Sequence, residues 1–332
     1  MIVTLPDVAD KYPVRIFMIE ISNLVKYYGD KKAVDHISFT VEKGEVLGFL
    51  GPNGAGKTTT MNILTGYLSA TSGKITINGH DILEEPAAAK KAIGYLPEQP
   101  PLYMDMTVLE YLKFISELKG VPKADRIRQL AEIMRLVRIA DVSDRVIHNL
   151  SKGYKQRVGI AQAMIGNPEV LVLDEPTVGL DPKQIIEIRN LIKTLSKTHT
   201  VILSSHILPE VQAVCDRVVI INNGRIAAID TPDALSHRLA GTSKLSLTFE
   251  GPYKDASSKI RNLPGVSGVA SVIEKDNLQQ IEISIDPKID VRKSVFFTMA
   301  SNSWPILEFK SLDPTLEEIF LSVTTSDEKK RR

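Results

Sequence analysis

The sequence predicts an α/β protein with a parallel sheet at its centre and a small α+β domain at its C-terminus. The first observation is an apolar strand pattern, Glu45–Leu50, that leads through a glycine-rich loop into a helical pattern. The second is the alternation of short buried strands with helices up to about residue 229, typical of parallel sheets covered by helices. The third is the order β-α-β-β-α-β after about residue 235, typical of a split βαβ domain.

The sequence pattern before about residue 80 predicts antiparallel strands at the start of the sheet. Apolar and polar residues alternate in Ile19–Leu24 and His36–Val41, as in strands with one buried face, and residues 28–30 predict a turn. Turn residues also flank a short predicted strand at Lys74–Ile77. Residues 1–18 are interpreted as an N-terminal extension.

The middle of the chain predicts a helix-rich segment. A short helix at Ala87–Ala92 and a strand at Ile93–Leu96 come first, and prolines then interrupt regular structure. From Thr107 to about Gly166 apolar residues keep helical spacing, so we expect a helical subdomain over residues 98–166.

Further elements complete a first domain over residues 19–232. Buried strands are predicted at Val170–Leu173 and Val201–Ser204, with a helix over Lys183–Thr198 between them. A hairpin follows over Val218–Ile229, with its turn at an Asn-Asn-Gly sequence.

The C-terminal patterns predict a second domain over residues 235–325. Its predicted elements in chain order are Lys244–Phe249, Ala256–Leu263, Val269–Glu274, Gln279–Ile285, Val291–Ser301, Pro305–Phe309 and a last helix, Leu316–Val323. Residues 326–332 end in four cations and are interpreted as a solvated basic tail.

Composition argues against several classes of protein. The 332 residues carry a net charge of +1, which provides no global attraction to nucleic acid or an anionic membrane. The single cysteine, Cys215, cannot form an internal disulfide and suits a reducing cytoplasm. No run of about 18 apolar residues is present, so no transmembrane helix is expected, and early charged residues argue against a signal peptide.

The stretch from Gly51 to Thr59 fits the phosphate-binding pattern G-x-x-x-x-G-K-[ST] and precedes a helix predicted over Thr58–Leu68. Its glycines let backbone N–H groups point inward at a phosphate, and the helix adds the positive end of its dipole. Lys57 is expected to reach the β- and γ-phosphates and Thr58 to ligate Mg²⁺. The alternative is a glycine-rich turn without a ligand. The residues expected to contact nucleotide here are Gly51, Pro52, Asn53, Gly54, Ala55, Gly56, Lys57, Thr58 and Thr59.

Two acids, Asp174 and Glu175, follow a buried strand. In proteins with a phosphate-binding loop, an acid at the first position holds Mg²⁺, which suits Asp174. Glu175 is then placed to polarise the attacking water as a general base. Such a pair can also merely begin a helix, but the phosphate-binding loop favours the catalytic interpretation.

Further motifs point to one family. Leu150–Arg157 opens a helix, a Gly-Leu-Asp-Pro loop lies at 179–182, and His206 follows a strand. With the phosphate-binding loop and the acidic strand, in this order, they resemble the ATP-binding cassette (ABC) family over about residues 19–232. Other classes with such a loop, including GTPases and kinases, do not carry a signature helix just before the acidic strand.

The resemblance implies an ABC cassette, with a parallel core, an antiparallel β subdomain and a helical subdomain, that binds ATP and Mg²⁺ as a nucleotide-sandwich homodimer. In that assembly Ser151 and Gly153 of one subunit contact the γ-phosphate held by the other. Asp181 matches the loop that crosses the dimer interface, or is only a turn residue. The usual signature Leu-Ser-Gly-Gly-Gln is altered here by Lys152 and Tyr154.

The resemblance implies three more site residues. His206 corresponds to the catalytic-site residue that senses the γ-phosphate. Tyr28 corresponds to the aromatic residue that stacks on adenine, and Tyr27 is its neighbour. The family's Mg²⁺-ligating glutamine aligns with Glu98, and Gln99 follows it. A carboxylate can ligate Mg²⁺ as an amide can, so both residues stay candidates.

The C-terminal stretch Asp313–Phe320 resembles ATPases of ABC-2-type exporters, including gliding-motility, drug and sodium export relatives. The resemblance implies an ATP-hydrolysing subunit at the cytoplasmic face of the membrane. Its expected partners are a separate integral membrane permease of the ABC-2 type, met by Leu96–Met106, and a second copy of itself, with no nucleic acid. The alternatives are a soluble ABC ATPase acting on nucleic acid or ribosomes, and a regulatory switch. The membrane subunit selects the cargo, so this sequence does not specify it.

Overall fold

The computed structural model describes residues 17–239, 243–275, 278–286 and 289–312. The chain divides into two compact units between Asp230 and Thr231. The predicted helix Leu316–Val323, the Asp313–Phe320 stretch and the basic tail lie outside the described residues.

The first unit alternates strands and helices. In chain order its elements are β1 (Phe17–Tyr28), β2 (Lys31–Glu42), β3 (Val46–Leu50), α1 (Lys57–Leu64), β4 (Ser72–Ile77), β5 (His80–Asp81), α2 (Pro86–Lys91), β6 (Ile93–Leu96), α3 (Val108–Leu118), α4 (Lys123–Leu136), α5 (Lys152–Met164), β7 (Val170–Asp174), α6 (Pro182–Leu195), β8 (Thr200–Ser205), α7 (Leu208–Val214), β9 (Arg217–Asn222) and β10 (Arg225–Asp230).

A six-stranded sheet in the order β10-β9-β3-β8-β7-β6 forms the centre of this unit. Its strands pair in parallel except β10, which turns back antiparallel to β9. Every residue of β3, β7 and β8 is buried, as expected for parallel strands covered on both faces. The carboxyl ends of these strands meet at one edge of the sheet, where ligands bind in open α/β folds.

The predicted antiparallel portion is a separate four-stranded sheet in the order β2-β1-β4-β5. β1 begins at Phe17, before the expected start of the domain at residue 19, and pairs with β2 up to the Tyr28–Lys31 pair. Apolar residues of this sheet, such as Ile19 and Phe39, share one hydrophobic core with Leu47 and Phe49 of β3 and Met61 of α1.

The helix-rich segment contains α3, α4 and α5. Thr107, where the helical pattern was predicted to start, caps α3 in a capping box with Glu110, so the helix begins at Val108. The Lys119 ammonium donates hydrogen bonds of 2.9–3.1 Å to the carbonyls of Gln162, Ala163 and Ile165. A cation at the C-terminal end of a helix stabilises it, so Lys119 anchors α5 against α3.

The second unit has the predicted order β-α-β-β-α-β after a first helix. Its elements are α8 (Pro232–Leu239), β11 (Ser243–Glu250), α9 (Tyr253–Arg261), β12 (Val266–Lys275), β13 (Leu278–Ile285), α10 (Arg292–Ser301) and β14 (Ile306–Ser311). The strands form an antiparallel sheet in the order β12-β13-β11-β14. Alternate residues of β13, including Ile281 and Ile283, share a core with Ile260 of α9 and Val295 of α10.

Several predicted boundaries were wrong. The first helix ends at Leu64 instead of Leu68, because Gly66 takes a left-handed φ of 68° and the N–H of Leu68 turns back to Asn62. The helix predicted to reach Thr198 ends at Leu195. The sequence interpretation missed α7 and α8. Among the described residues, no helix has both the length and the apolar character needed to cross a membrane.

Candidate active site

The glycine-rich loop connects the carboxyl end of β3 to α1, as predicted. Gly56 is the N-cap residue of α1 with a left-handed φ of 109°, and no side chain caps the first turn. Helix N–H groups without such a partner attract anions, and the helix dipole adds to that attraction. The loop can therefore hold a phosphate group.

Close backbone contacts explain two of the glycines. A Cβ atom on Gly51 would lie 2.6 Å from the carbonyl oxygen of Ile221 on β9. A Cβ atom on Gly56 would lie 2.6 Å from the carbonyl oxygen of Ala33 on β2. Backbone atoms cannot rotate away, so a side chain at either position would displace the loop.

Lys57 is a buried cation inside the loop. Its ammonium donates hydrogen bonds to the carbonyls of Gly51, at 2.8 Å, and Pro52, at 3.4 Å. Its Nζ lies 3.6 Å from Oε1 of Glu175. The loop thus holds the ammonium next to the catalytic acid predicted from the sequence, where an entering phosphate would meet it.

A pocket of about 340 Å³ opens above this loop. Tyr28, Glu98, Glu175 and His206 line it together with most of the loop from Pro52 to Thr59. The Tyr28 ring is about half exposed, and the ammonium of Lys26 lies 5.5 Å from its centroid. The Lys26 ammonium therefore makes a cation–π contact with one face of the Tyr28 ring. An aromatic ring that lines a pocket in this way can stack on a base.

Asp174 is fully buried at the carboxyl end of β7. Its Oδ1 accepts a hydrogen bond from Ser204, the residue opposite it on β8. Burial raises the pKa of the Asp174 carboxyl, as do the charges of Glu175 and Glu98, whereas hydrogen bonds from Ser204 and Thr58 oppose that rise. Its Oδ2 has no hydrogen-bond partner in the described part of the chain.

These features fit Mg²⁺. Asp174, Thr58 and Glu98 line a second cavity, of about 630 Å³, and Thr58 and Glu98 line the phosphate pocket as well. A divalent cation would supply the missing partner of Asp174 Oδ2 and favour its charged form against the burial and the repulsion that raise its pKa. Within the described residues, no group of three or more His, Cys, Asp and Glu side chains could hold a metal ion by itself. Mg²⁺ fits that limit, since one or two carboxylates usually hold it together with substrate phosphates.

Glu98, rather than Gln99, faces the phosphate pocket. Glu98 lines both cavities and raises the pKa of Asp174 through its charge. Gln99 lines the second cavity only. Of the two candidates left open by the sequence, only Glu98 lines both cavities.

Glu175 has a backbone conformation that is rare for its residue type. Its φ is 49°, in the left-handed region. Its N–H donates to the carbonyl of Ser204 at 3.0 Å, and its carbonyl accepts from the N–H of Val178 at 3.2 Å. Such strain persists only where the surroundings enforce it and is concentrated at functional sites. Here it directs the carboxylate to Lys57 and His206.

His206 follows the carboxyl end of β8, and its Nδ1 lies 2.9 Å from Oε2 of Glu175. About 44% of its side chain is exposed, whereas Glu175 is buried. One nitrogen can therefore bind Glu175 while the rest of the ring faces the pocket. This geometry suits a residue that responds to a group bound beside the carboxylate.

The structure does not bring the predicted signature residues into this pocket. Ser151 is the exposed N-cap residue of α5, and Asp181 caps α6 by accepting a hydrogen bond from the N–H of Gln184 at 2.9 Å. Gly153 packs on the Gln184 side chain, since a Cβ atom there would lie 2.6 Å from its Cδ. None of the three is among the described residues that line the phosphate pocket. Within one subunit, the start of the signature helix therefore contacts α6 instead of the loop.

The sequence interpretation missed several residues at the site, Ser204 and Lys31 among them. Ser204 donates a hydrogen bond to Asp174, and the sequence feature that could have suggested it was its position at the end of a buried strand. Lys31 lines the pocket beside Tyr28, which the turn at 29–30 could have suggested.

Comparisons with known proteins identify the family. The family model described as "ABC transporter" matches residues 34–178. The chain is 35% identical to the linearmycin resistance ATP-binding protein LnrL of Bacillus subtilis (strain 168) over 312 residues, which cover 92% of this chain and 98% of LnrL.

Two solved structures support the same assignment. One is the ADP conformation of MJ1267, an ATP-binding cassette of an ABC transporter, with 29% identity and a TM-score of 0.59 over 66% of this chain and 92% of that chain. The other is a dimeric structure of MJ0796, described as a bacterial ABC transporter cassette, with 25% identity and a TM-score of 0.59 over 64% of this chain and 98% of that chain. The chain belongs to the ABC transporter family, as an ATP-binding subunit that hydrolyses ATP.

Proposed function

We propose that this subunit powers an exporter by ATP-driven closure of a homodimer, with Glu175 as the general base. The observation that carries the proposal is the convergence of Glu175, Lys57 and His206 in one pocket at the phosphate-binding loop. The strained backbone of Glu175 supports it further, because strain of this kind is concentrated at functional sites.

In the proposed mechanism, water attacks the γ-phosphorus in line with the leaving ADP. Glu175 accepts the proton of that water, and His206 holds the carboxylate oriented through the 2.9 Å contact. Lys57 neutralises charge that develops on the phosphate oxygens. Thr58, Asp174 and Glu98 would hold Mg²⁺, which supplies further positive charge at the phosphates when it is bound.

The separation of the signature residues from the pocket supports a composite site. Ser151 lies at the N-terminus of α5, where a hydroxyl and free backbone N–H groups can bind an anion. Because Ser151 and Gly153 do not line their own subunit's pocket, we propose that they complete the pocket of a second copy. Asp181 caps α6, whose Gln184 contacts Gly153, and would cross the interface.

A separate integral membrane permease of the ABC-2 type is the proposed partner, and it would hold this subunit at the cytoplasmic face of the membrane. The resistance function in the name of LnrL supports the direction of transport. Tyr103 and Met104 expose large apolar side chains in the segment 96–106 beside Glu98, and the Tyr103 ring lies 5.4 Å from that of Phe114. Exposed aromatic and methionine side chains are enriched where partners dock.

The partner prediction is tested by co-purification of the membrane protein encoded beside the gene. Tyr103→Glu should reduce the recovered membrane protein by about 30-fold, since a central aromatic contact contributes about 2 kcal/mol or more. The matched control is Ile127→Glu, which places the same charge on an exposed apolar position of α4 in the same subdomain. Equal recovery of the membrane protein with both variants would contradict the proposal that segment 96–106 docks on it.

If Tyr28 stacks on adenine, nucleotide affinity should depend on whether residue 28 is aromatic. Tyr28→Ala should weaken nucleotide binding by about tenfold, because stacking contributes about 1–3 kcal/mol per base, whereas Tyr28→Trp should retain binding. Fluorescent-nucleotide titration measures the dissociation constant. Tyr27→Ala is the control, and a loss confined to that variant would move the adenine contact to Tyr27.

A further inference from the structure

A buried carboxylate joins the two loops that carry Glu175 and His206. Oε2 of Glu210, on α7, accepts hydrogen bonds from Thr177 Oγ1 and, at 3.2 Å, from Ser205 Oγ. Thr177 lies two residues after Glu175, and Ser205 immediately precedes His206. A single oxygen atom therefore links both catalytic loops.

This arrangement is costly for folding. Glu210 is 2% exposed, and within the described residues no cation pairs with it and its Oε1 has no hydrogen-bond partner. Burying a carboxylate without a counter-charge is unfavourable, and an apolar side chain in its place would avoid the penalty. Stability alone therefore does not explain a carboxylate at this position.

On the Glu175 side, the hydrogen bond from Thr177 stabilises a strained turn. The turn is closed by the N–H of Val178, which donates to the carbonyl of Glu175 at 3.2 Å while Glu175 holds its φ of 49°. Thr177 lies inside this turn, so its bond to Glu210 opposes relaxation of the Glu175 backbone.

On the His206 side, one hydroxyl contacts the chain before and after the histidine. Ser205 Oγ donates to Glu210 and accepts from the N–H of Ile207 at 3.0 Å. The backbone on both sides of His206 is thereby fixed relative to Glu210.

We propose that Glu210 is a positioning residue that sets the distance between Glu175 and His206. It acts through Thr177 and Ser205 and is not among the described residues that line the phosphate pocket. The proposal rests on the proposed roles of Glu175 and His206, and it adds a residue outside the motifs that define the site.

The first test separates turnover from binding in the full chain. Glu210→Leu should lower kcat by about 100-fold, the effect of a displacement of about 1 Å at a catalytic centre. The nucleotide dissociation constant should stay within about twofold, because the phosphate-binding loop is untouched. Glu210→Gln should recover most of the lost kcat, since its amide oxygen can accept both hydroxyl hydrogen bonds.

The second test asks whether Glu210 acts through His206. Adding Glu210→Leu to His206→Ala should lower kcat by a smaller factor than Glu210→Leu does in the parent, because the His206 share of the effect is already lost and coupled groups are not additive. The matched control is Glu45→Gln, at a buried carboxylate that pairs with Arg217 outside the pocket. It should lower the melting temperature and leave kcat unchanged. Additive losses in the double variant would overturn the proposal.

Two further variants keep the test decisive. If Glu210→Leu does not fold, Thr177→Val and Ser205→Ala each remove one of the two hydrogen bonds and should each lower kcat. Parental kcat in these variants, with Glu175→Gln inactive, would overturn the positioning role and leave the proposed function intact. Parental hydrolysis by Glu175→Gln would overturn both.

Discussion

Replacing Glu175 by glutamine is expected to lower steady-state ATP hydrolysis by about 10²–10⁴-fold, the usual contribution of a general base. The glutamine side chain keeps the shape and hydrogen-bonding reach of glutamate but cannot accept a proton from the attacking water. Lys57, Thr58 and Asp174 are unchanged, so ATP should still bind. A phosphate-release assay measures the rate, and nucleotide titration measures the affinity.

The structure provides a control for this variant. Glu45→Gln removes a buried carboxylate of the same unit whose contacts are Arg217 and the N–H of Glu42. It should hydrolyse ATP at the parental rate. Comparable losses in the two variants would show that lost stability, and not the missing base, lowers hydrolysis.

Replacing Lys57 by alanine is expected to abolish tight nucleotide binding. The ammonium donates charge-assisted hydrogen bonds inside the loop and is the buried cation that an entering phosphate would meet. Hydrogen bonds to charged groups contribute about 1.5–3 kcal/mol, which corresponds to about 10- to 150-fold in affinity. Nucleotide titration of the folded variant measures this loss.

The control for Lys57 is Lys43→Ala, which removes an exposed cation between β2 and β3. Its affinity should match that of the parent. Circular dichroism should show that Lys57→Ala folds, since the change leaves Glu175 without its neighbouring ammonium. Parental affinity in folded Lys57→Ala would contradict the assigned phosphate contact.

Local patterns predicted the parts of the site that depend on neighbouring residues in the chain. The loop from Gly51 to Thr59 and the acids Asp174 and Glu175 were predicted from their spacing along the chain, and the structure has them at the ends of β3 and β7. The parallel sheet then brings the ends of β3, β7 and β8 to one edge, and their residues meet there.

Contacts between distant residues could not be predicted in this way. The bond from Ser204 to Asp174 depends on the pairing of β8 with β7, and the contact of Gly51 with Ile221 depends on the position of β9. The left-handed backbone of Glu175 has no signal in its residue type, because such φ values favour glycine. Glu210 was missed together with α7, a helix of seven residues with Pro209 in its first turn.

Size-exclusion chromatography in ATP and Mg²⁺ tests the central claim most directly, since it asks whether two copies close around nucleotide. Glu175→Gln should elute as an ATP-dependent dimer, because binding survives and blocked hydrolysis traps the closed state. Lys57→Ala should remain monomeric under the same conditions. A Glu175→Gln variant that stays monomeric at saturating ATP, with the membrane partner present as well as without it, would contradict the composite site.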